Sequence, residues 1–281
     1  MAAVKQYTID QLFKTKWSQL SVGEQASVLE HKFRWQHAKE QGLEQAAGHC
    51  AIMILRALRV NKSAVSKINV EQAVDCINDL AFINEPFFQF PGLPSGVGPN
   101  STDFQVPQSH LKNHTLGQLY WIDSLFSKVI MAEYSDSRAH PPQTPSTIAE
   151  IFLHEMIGVI YTHPDLFDEK QVSERGMSIG KILTEAHRHV VIHTYANIKE
   201  FIVNAFPFTF PQIEEQESDE PRASKAPVDS EPMWQTILFD LSESKAYQGM
   251  DKTKSAPMYE ALTYLEKKHK DAIEFKQKQR A

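Results

Sequence analysis

The chain has 281 residues, of which 42% are hydrophobic and 23% charged, with a formal net charge of −6. That length can bury one substantial core or two small ones. The negative balance gives no global attraction to nucleic acid or anionic lipid, so neither a direct nucleic-acid partner nor a membrane partner is expected. Cys50 and Cys76 lie in apolar helical surroundings, and two distant cysteines form neither a disulfide framework nor a metal knuckle. They read as free thiols of a reducing cytoplasm. The first residues have no apolar core, and no run of about 18 apolar residues occurs, so a soluble, non-secreted protein is expected.

In the first third, Thr8-Ile9-Asp10-Gln11 and Ser21-Val22-Gly23-Glu24 fit the capping box, whose first side chain accepts from a free helix amide while the fourth reaches back. A helix is expected to start at each, the second running from Val22 to about Glu40. After Gly42 comes a helix holding Ala46, Cys50, Ile52, Met53, Leu55 and Leu58, apolar over most of its surface and hence expected at the centre. Asn69-Val70-Glu71-Gln72 opens another, with Val70, Val74, Ile77 and Leu80 at helical spacing and a stop near Asn84.

Between residues 85 and 114 periodicity disappears. Pro86, Pro91, Pro94, Pro99 and Pro107 remove donors and fix dihedrals, while Gly92, Gly96 and Gly98 permit turns. Phe87, Phe88, Phe90 and Phe104 punctuate this long loop, and such aromatics need a surface that receives them, either on the chain's own helices or on a neighbouring subunit.

The stretch 115–206 carries the strongest periodicity. Thr115-Leu116-Gly117-Gln118 caps a helix to about Tyr134, which places Leu119, Ile122, Phe126, Val129 and Ile130 on one face. Asp123 stands among these apolar residues and must reach solvent or hydrogen-bond donors. Thr147-Ile148-Ala149-Glu150 caps a largely apolar helix to Tyr161, and a long helix is expected from about Met177 to Phe206. Residues 212–232 are then rich in Glu, Asp, Pro and Ser and read as a disordered acidic linker. Beyond it, Met233 to Leu241 can form a short amphipathic helix. Pro257 sits at the first turn of a final helix, which Tyr259, Leu262, Leu265, Ile273 and Phe275 would dock. The class is all-α: an irregular multi-helix bundle with a helical body over 1–211, the linker 212–232 and a tethered helical segment over 233–281.

Chemical motifs are sparse. Glu185, His189 and His193 recur every four residues and share a helix face, and His154 on the preceding helix completes a candidate metal set. Neither His-Glu-x-x-His nor a di-iron Glu-x-x-His pair occurs there, so no metal and no cofactor are assigned. His49 and Cys50 are helix neighbours about 100° apart and are not prearranged for nucleophilic catalysis. The glycines at 96 and 98 lack the lysine of a phosphate-binding loop. Trp17, Trp35, Trp121 and Trp234 read as core residues rather than stacking platforms. No catalytic residue is assigned.

Three places carry a resemblance: Thr115-Leu116-Gly117-Gln118 with Asp123; a helix ending at Ile160-Tyr161 followed by Asp165-Leu166-Phe167-Asp168 and Val172-Ser173-Glu174-Arg175; and Pro257 to Leu265 leading into a lysine-rich helix. They resemble structural and assembly proteins of tailed bacteriophages, in particular the tail-assembly-chaperone-like helical proteins of Bacteroidetes phages, over roughly the second half of the chain. The resemblance implies a non-enzymatic part made in the host cytoplasm, kept in the virion or used transiently, whose partners are other protein subunits. Phe87, Phe88, Phe90, Phe104, Trp234, Tyr259 and Leu262 are the expected interaction residues. The alternatives are a metal-dependent all-α enzyme using Glu185, His189 and His193, and a helical ligand-binding or regulatory domain.

Overall fold

The computed structural model describes residues 13–59, 68–83, 85–93, 104–139, 147–211 and 230–280. Among these residues there are ten α-helices and no strand, with only isolated bridges such as Phe104 to Thr162 and Thr115 to Pro257. The all-α class follows directly. The chain divides into two compact units, one formed by Met1–Pro91 with Thr184–Asn197 and the other by Gly92–Leu183 with Ile198–Ala281. These boundaries differ from the sequence division at 211 and 233.

In the first unit, α1 (Val22–Glu40) and α2 (Glu44–Leu58) form a helical hairpin. Ser21 N donates to Glu24 at 2.8 Å, while Glu24 N reaches Ser21 Oγ at 3.4 Å, which is the capping box read from the sequence. The turn uses Gly42 at a φ of 67°, a left-handed conformation that costs glycine little. α2 buries Ala47, Ala51, Ile54, Leu55 and Leu58 but leaves Met53 38% exposed, so it is central on one face rather than on most of its surface. α3 (Val70–Asp79) packs on α2 and begins at Asn69, which exchanges reciprocal bonds with Gln72. It stops at Asp79, five residues before the expected Asn84, and a 3-10 turn, Ala81–Ile83, follows. Trp17 sits over this core, its indole N–H donating to Phe82 O at 2.9 Å and its ring against Phe87 at 5.1 Å.

In the second unit, α4 (Leu116–Ala139) packs on α5 (Thr147–Tyr161), and α5 packs on α6 (Val172–Gly180). Gly158 and Gly176 bring the last two helices close. A Cβ at Gly176 would stand 2.7 Å from Glu155 Cα. The expected single helix from Met177 to Phe206 is instead two, because α6 ends at Gly180 and α7 (Glu185–Ala205) starts afresh. Thr184 explains the restart: its Oγ1 accepts from His187 N at 3.3 Å, and its carbonyl receives Arg188 N at 3.2 Å.

The carboxy-terminal segment holds α8 (Glu231–Ser242), α9 (Met250–Ser255) and α10 (Met258–Arg280), each of which packs on α4. Since α8 begins at Glu231, residues 230–232 belong to this ordered segment rather than to the acidic linker, and residues 212–229 lie outside the described residues. So do the Thr8 capping box and loop residues 94–103. The docked part of α10 is short. Met258, Ala261, Leu262 and Leu265 are buried, whereas Ile273 and Phe275, expected to dock, are 42% and 62% exposed.

Candidate functional site

The histidine-bearing face of α7 belongs to the first unit. His187 Nδ1 stands 2.6 Å from Thr184 Oγ1 and so contributes to the helix start. His189 Nε2 lies 3.9 Å from Glu185 Oε1, with 48% and 88% of the two side chains exposed. Such a solvent-facing pair one helical turn apart contributes little. His193 is half-buried, and burial, then His189, then Lys32, hold its pKa below the usual imidazole value. His154 belongs to the second unit, and its ring fills the space beside Gly180. Among the described residues, no three His, Cys, Asp or Glu side chains gather where they would hold a metal ion.

In the second unit several hydrogen bonds gather at the carboxy-terminal end of α5, where the last carbonyls of a helix lack intrahelical partners. His114 Nε2 is 2.9 Å from Ile160 O, Gln105 N donates to Tyr161 O at 2.7 Å, and Gln118 Nε2 donates to Thr162 O at 3.0 Å. Gln118 thereby serves two helices, because its Oε1 also accepts from Thr115 N at 3.1 Å in the capping box of α4. Thr162 Oγ1 donates to Gly158 O at 2.7 Å and accepts from Arg175, whose guanidinium also reaches Leu166 O at 2.7 Å. Burial pushes the pKa of His114 down to about 4, the bond to Ile160 O opposing it, so the ring is neutral and donates through Nε2.

A second cluster surrounds Asp123, 2% exposed on α4. Its Oδ1 accepts from Lys199 Nζ of α7 and its Oδ2 from Trp234 Nε1 of α8, both at 2.8 Å. Ser230 Oγ lies 2.8 Å from Ser127 Oγ and donates to Asp123 O at 3.2 Å, while Glu231 accepts from Tyr120 at 3.2 Å and pairs with Lys128 at 3.1 Å. The Lys128 bond, ahead of burial, holds the Glu231 carboxyl below its ordinary range. This arrangement fastens the start of α8 to α4.

The expected interaction residues sit largely inside their own chain. Phe87, Phe90, Trp234 and Leu262 are buried; Phe88 and Phe104 are half-buried, Phe104 bridging to Thr162; Tyr259 donates its hydroxyl to His110 O at 2.9 Å. Asn197 Nδ2 also donates to Phe87 O at 3.2 Å. The apolar side chains that do face outward include Ile148 and Ile151 on α5, Met177 on α6 and Phe239 on α8, exposed by half or more. An open hollow of about 570 Å³ beside the turn between α1 and α2 is lined by Gly42, Leu43, Glu44, Gln45, Ala46 and His49. Sequence reasoning did not find Lys199, His114 or the second role of Gln118. Asp123, a carboxylate amid apolar neighbours, was the signal that pointed to Lys199; nothing comparable marked His114.

The class that fold and site define is an all-α multi-helix protein whose buried polar groups tie helix to helix. Compared with protein-family models, curated proteins and solved structures, the chain matches no family model, no curated protein and no solved structure. Among the described residues no helix is long and apolar enough to cross a membrane.

Proposed function

We propose that this chain is a non-enzymatic structural or assembly protein acting through helical protein–protein interfaces, of the kind tailed bacteriophages make in the host cytoplasm and either keep in the particle or use transiently. The observation that supports the reading is the pair Ile148 and Ile151, one turn apart on α5 and 59% and 50% exposed, on a helix whose other face is buried. Exposed apolar groups arranged together favour association with another protein surface. The polar clusters add support, since His114, Gln118 and Arg175 are committed to helix ends and Asp123 to a helix junction.

Sedimentation of the full chain tests this, alone and with Ile148→Glu plus Ile151→Glu. The reading expects concentration-dependent oligomers for the native chain, weakened about ten-fold or more in the variant, because a charge placed in an apolar contact is costly. A native chain that stays monomeric at all concentrations, or a variant that assembles equally well, overturns it.

A further inference from the structure

We propose that the exposed, lysine-bearing end of α10 is a docking seat for the chain's own acidic run, Glu214, Glu215, Glu217, Asp219 and Glu220. The inference does not rest on the assembly reading.

The seat is defined by what α10 leaves in water. Burial along this helix ends at Leu265, and every residue from 270 to 279 is exposed. Lys267, Lys268, Lys270, Lys276 and Lys278 all face solvent, opposed on the same turns only by Asp271 and Glu274. Glu266 is otherwise engaged: its Oε1 accepts from Phe208 N at 3.0 Å, and its Oε2 accepts from Thr209 N at 2.8 Å and Thr209 Oγ1 at 2.9 Å. His269 Nδ1 adds a contact to Phe208 O at 3.1 Å. The chain that leads into the acidic run is therefore pinned to the seat's first turn.

Placement and reach then agree. Glu214 follows Thr209 by five residues, so it lies within about 17 Å of that anchor even when fully extended. From Glu266 to Lys278, α10 rises about 18 Å. The chain length thus lets the acidic residues reach the lysines, at the high effective concentration of a short tether. Five carboxylates within seven residues face five ammonium groups. Each exposed pair alone is weak, but several acting together in one tethered volume reinforce one another.

Two other occupants fit less well. Two copies of the same lysine-rich helix repel each other. A membrane or an amphipathic partner needs an apolar stripe, yet Ile273 and Phe275 are two residues apart and point about 160° away from each other around the helix.

A water-soluble carbodiimide, which joins a carboxylate to a neighbouring lysine amine, tests the proposal on the purified full chain. Reactions run at about 0.01 M salt, where the screening length is about 30 Å, and at about 1 M, where it is about 3 Å. In the monomeric fraction, links are expected from Glu214, Glu215, Glu217, Asp219 or Glu220 to Lys267, Lys268, Lys270, Lys276 or Lys278 at low salt, reduced about five-fold or more at high salt. A variant with the four glutamates changed to Gln and Asp219→Asn should raise the acetylation rate of the same lysines about two-fold or more at low salt. Links confined to a dimeric fraction would make a second copy the occupant and overturn the proposal. So would links from the run mainly to other lysines, no links at either salt, or unchanged lysine reactivity in the variant.

Discussion

Asp123 and Trp234, 111 positions apart, meet at 2.8 Å through carboxylate and indole N–H, with Lys199 on the other carboxylate oxygen at the same distance. Three helices, α4, α7 and α8, converge on this one buried charge. The Phe210 ring packs edge-on against Trp234 at 5.7 Å. A buried carboxylate is tolerable only with such partners, because removing one side of the contact leaves the other unsatisfied.

Trp234→Phe keeps the ring packing and deletes one donor to a charged acceptor, so it should cost about 1.5–3 kcal/mol. Asp123→Ala should cost more, about 3–5 kcal/mol, since it strands the indole N–H and one end of Lys199. Lys199 is 34% exposed and can turn to water, so Lys199→Met should cost less than Asp123→Ala. Urea unfolding of the three variants checks this order.

His114 sets a pH dependence with a definite sign. Its folded pKa is depressed from 6.5 to about 4, so on acidification the unfolded chain takes up this proton first. The stability it contributes is complete above about pH 6.5, falls as pH drops, and is gone by about pH 4, for a total of roughly 3 kcal/mol. His193, also depressed, acts in the same direction in the other unit. The difference in urea midpoint between native chain and His114→Gln, followed from pH 7 to pH 4, should shrink as the pH falls; a constant difference would remove the histidine from the account.

Gly176 and Gly23 make a paired test of close packing against helix propensity. Both lie inside helices, but a Cβ at Gly176 would meet Glu155 Cα at 2.7 Å and N at 2.8 Å, whereas one at Gly23 meets nothing within 4 Å. Gly23→Ala should stabilise by about 0.5–1 kcal/mol through backbone entropy alone. Gly176→Ala gains the same propensity but forces α5 and α6 apart, and should destabilise by about 1–3 kcal/mol. Thermal unfolding of the two variants should move in opposite directions.

The legible parts of the fold were the local ones. Asn69 with Gln72 and Thr115 with Gln118 each bond across three residues, so a four-letter pattern contains the whole interaction. The break between Gly180 and Glu185 was harder to read because Ile179 just before it and Leu183 within it are both buried and keep the apolar pattern running. α9 is six residues long, too short for periodicity to declare it. The exposure of Ile273 and Phe275 depends on where α10 leaves the surface of its unit, which composition does not encode. Asp123 was conspicuous in sequence, but its partners Lys199 and Trp234 are set by tertiary packing.

Glu266 provides the last test, because its carboxylate accepts from the turn that follows α7, whereas Gln118 donates to a carbonyl at the end of α5. After Ala205 the chain turns through 206–210, and two backbone amides there, Phe208 N and Thr209 N, have the Glu266 oxygens as acceptors at 3.0 and 2.8 Å. Thr209 is 7% exposed, so its amide has little access to replacement water. Glu266→Ala removes both carboxylate acceptors and the hydroxyl contact, Thr209 N keeping Phe206 O at 3.1 Å, at an expected cost of about 1–3 kcal/mol. Glu266→Gln keeps one oxygen and places an NH2 group opposite the other donors, so it should recover only part of that loss. Amide exchange at Phe208 and Thr209 gives the local reading: protection should fall in the order native, Gln, Ala, while amides of α1 and α2 in the other unit stay unchanged. Equal protection in all three would mean that the turn holds itself and that Glu266 is a passenger.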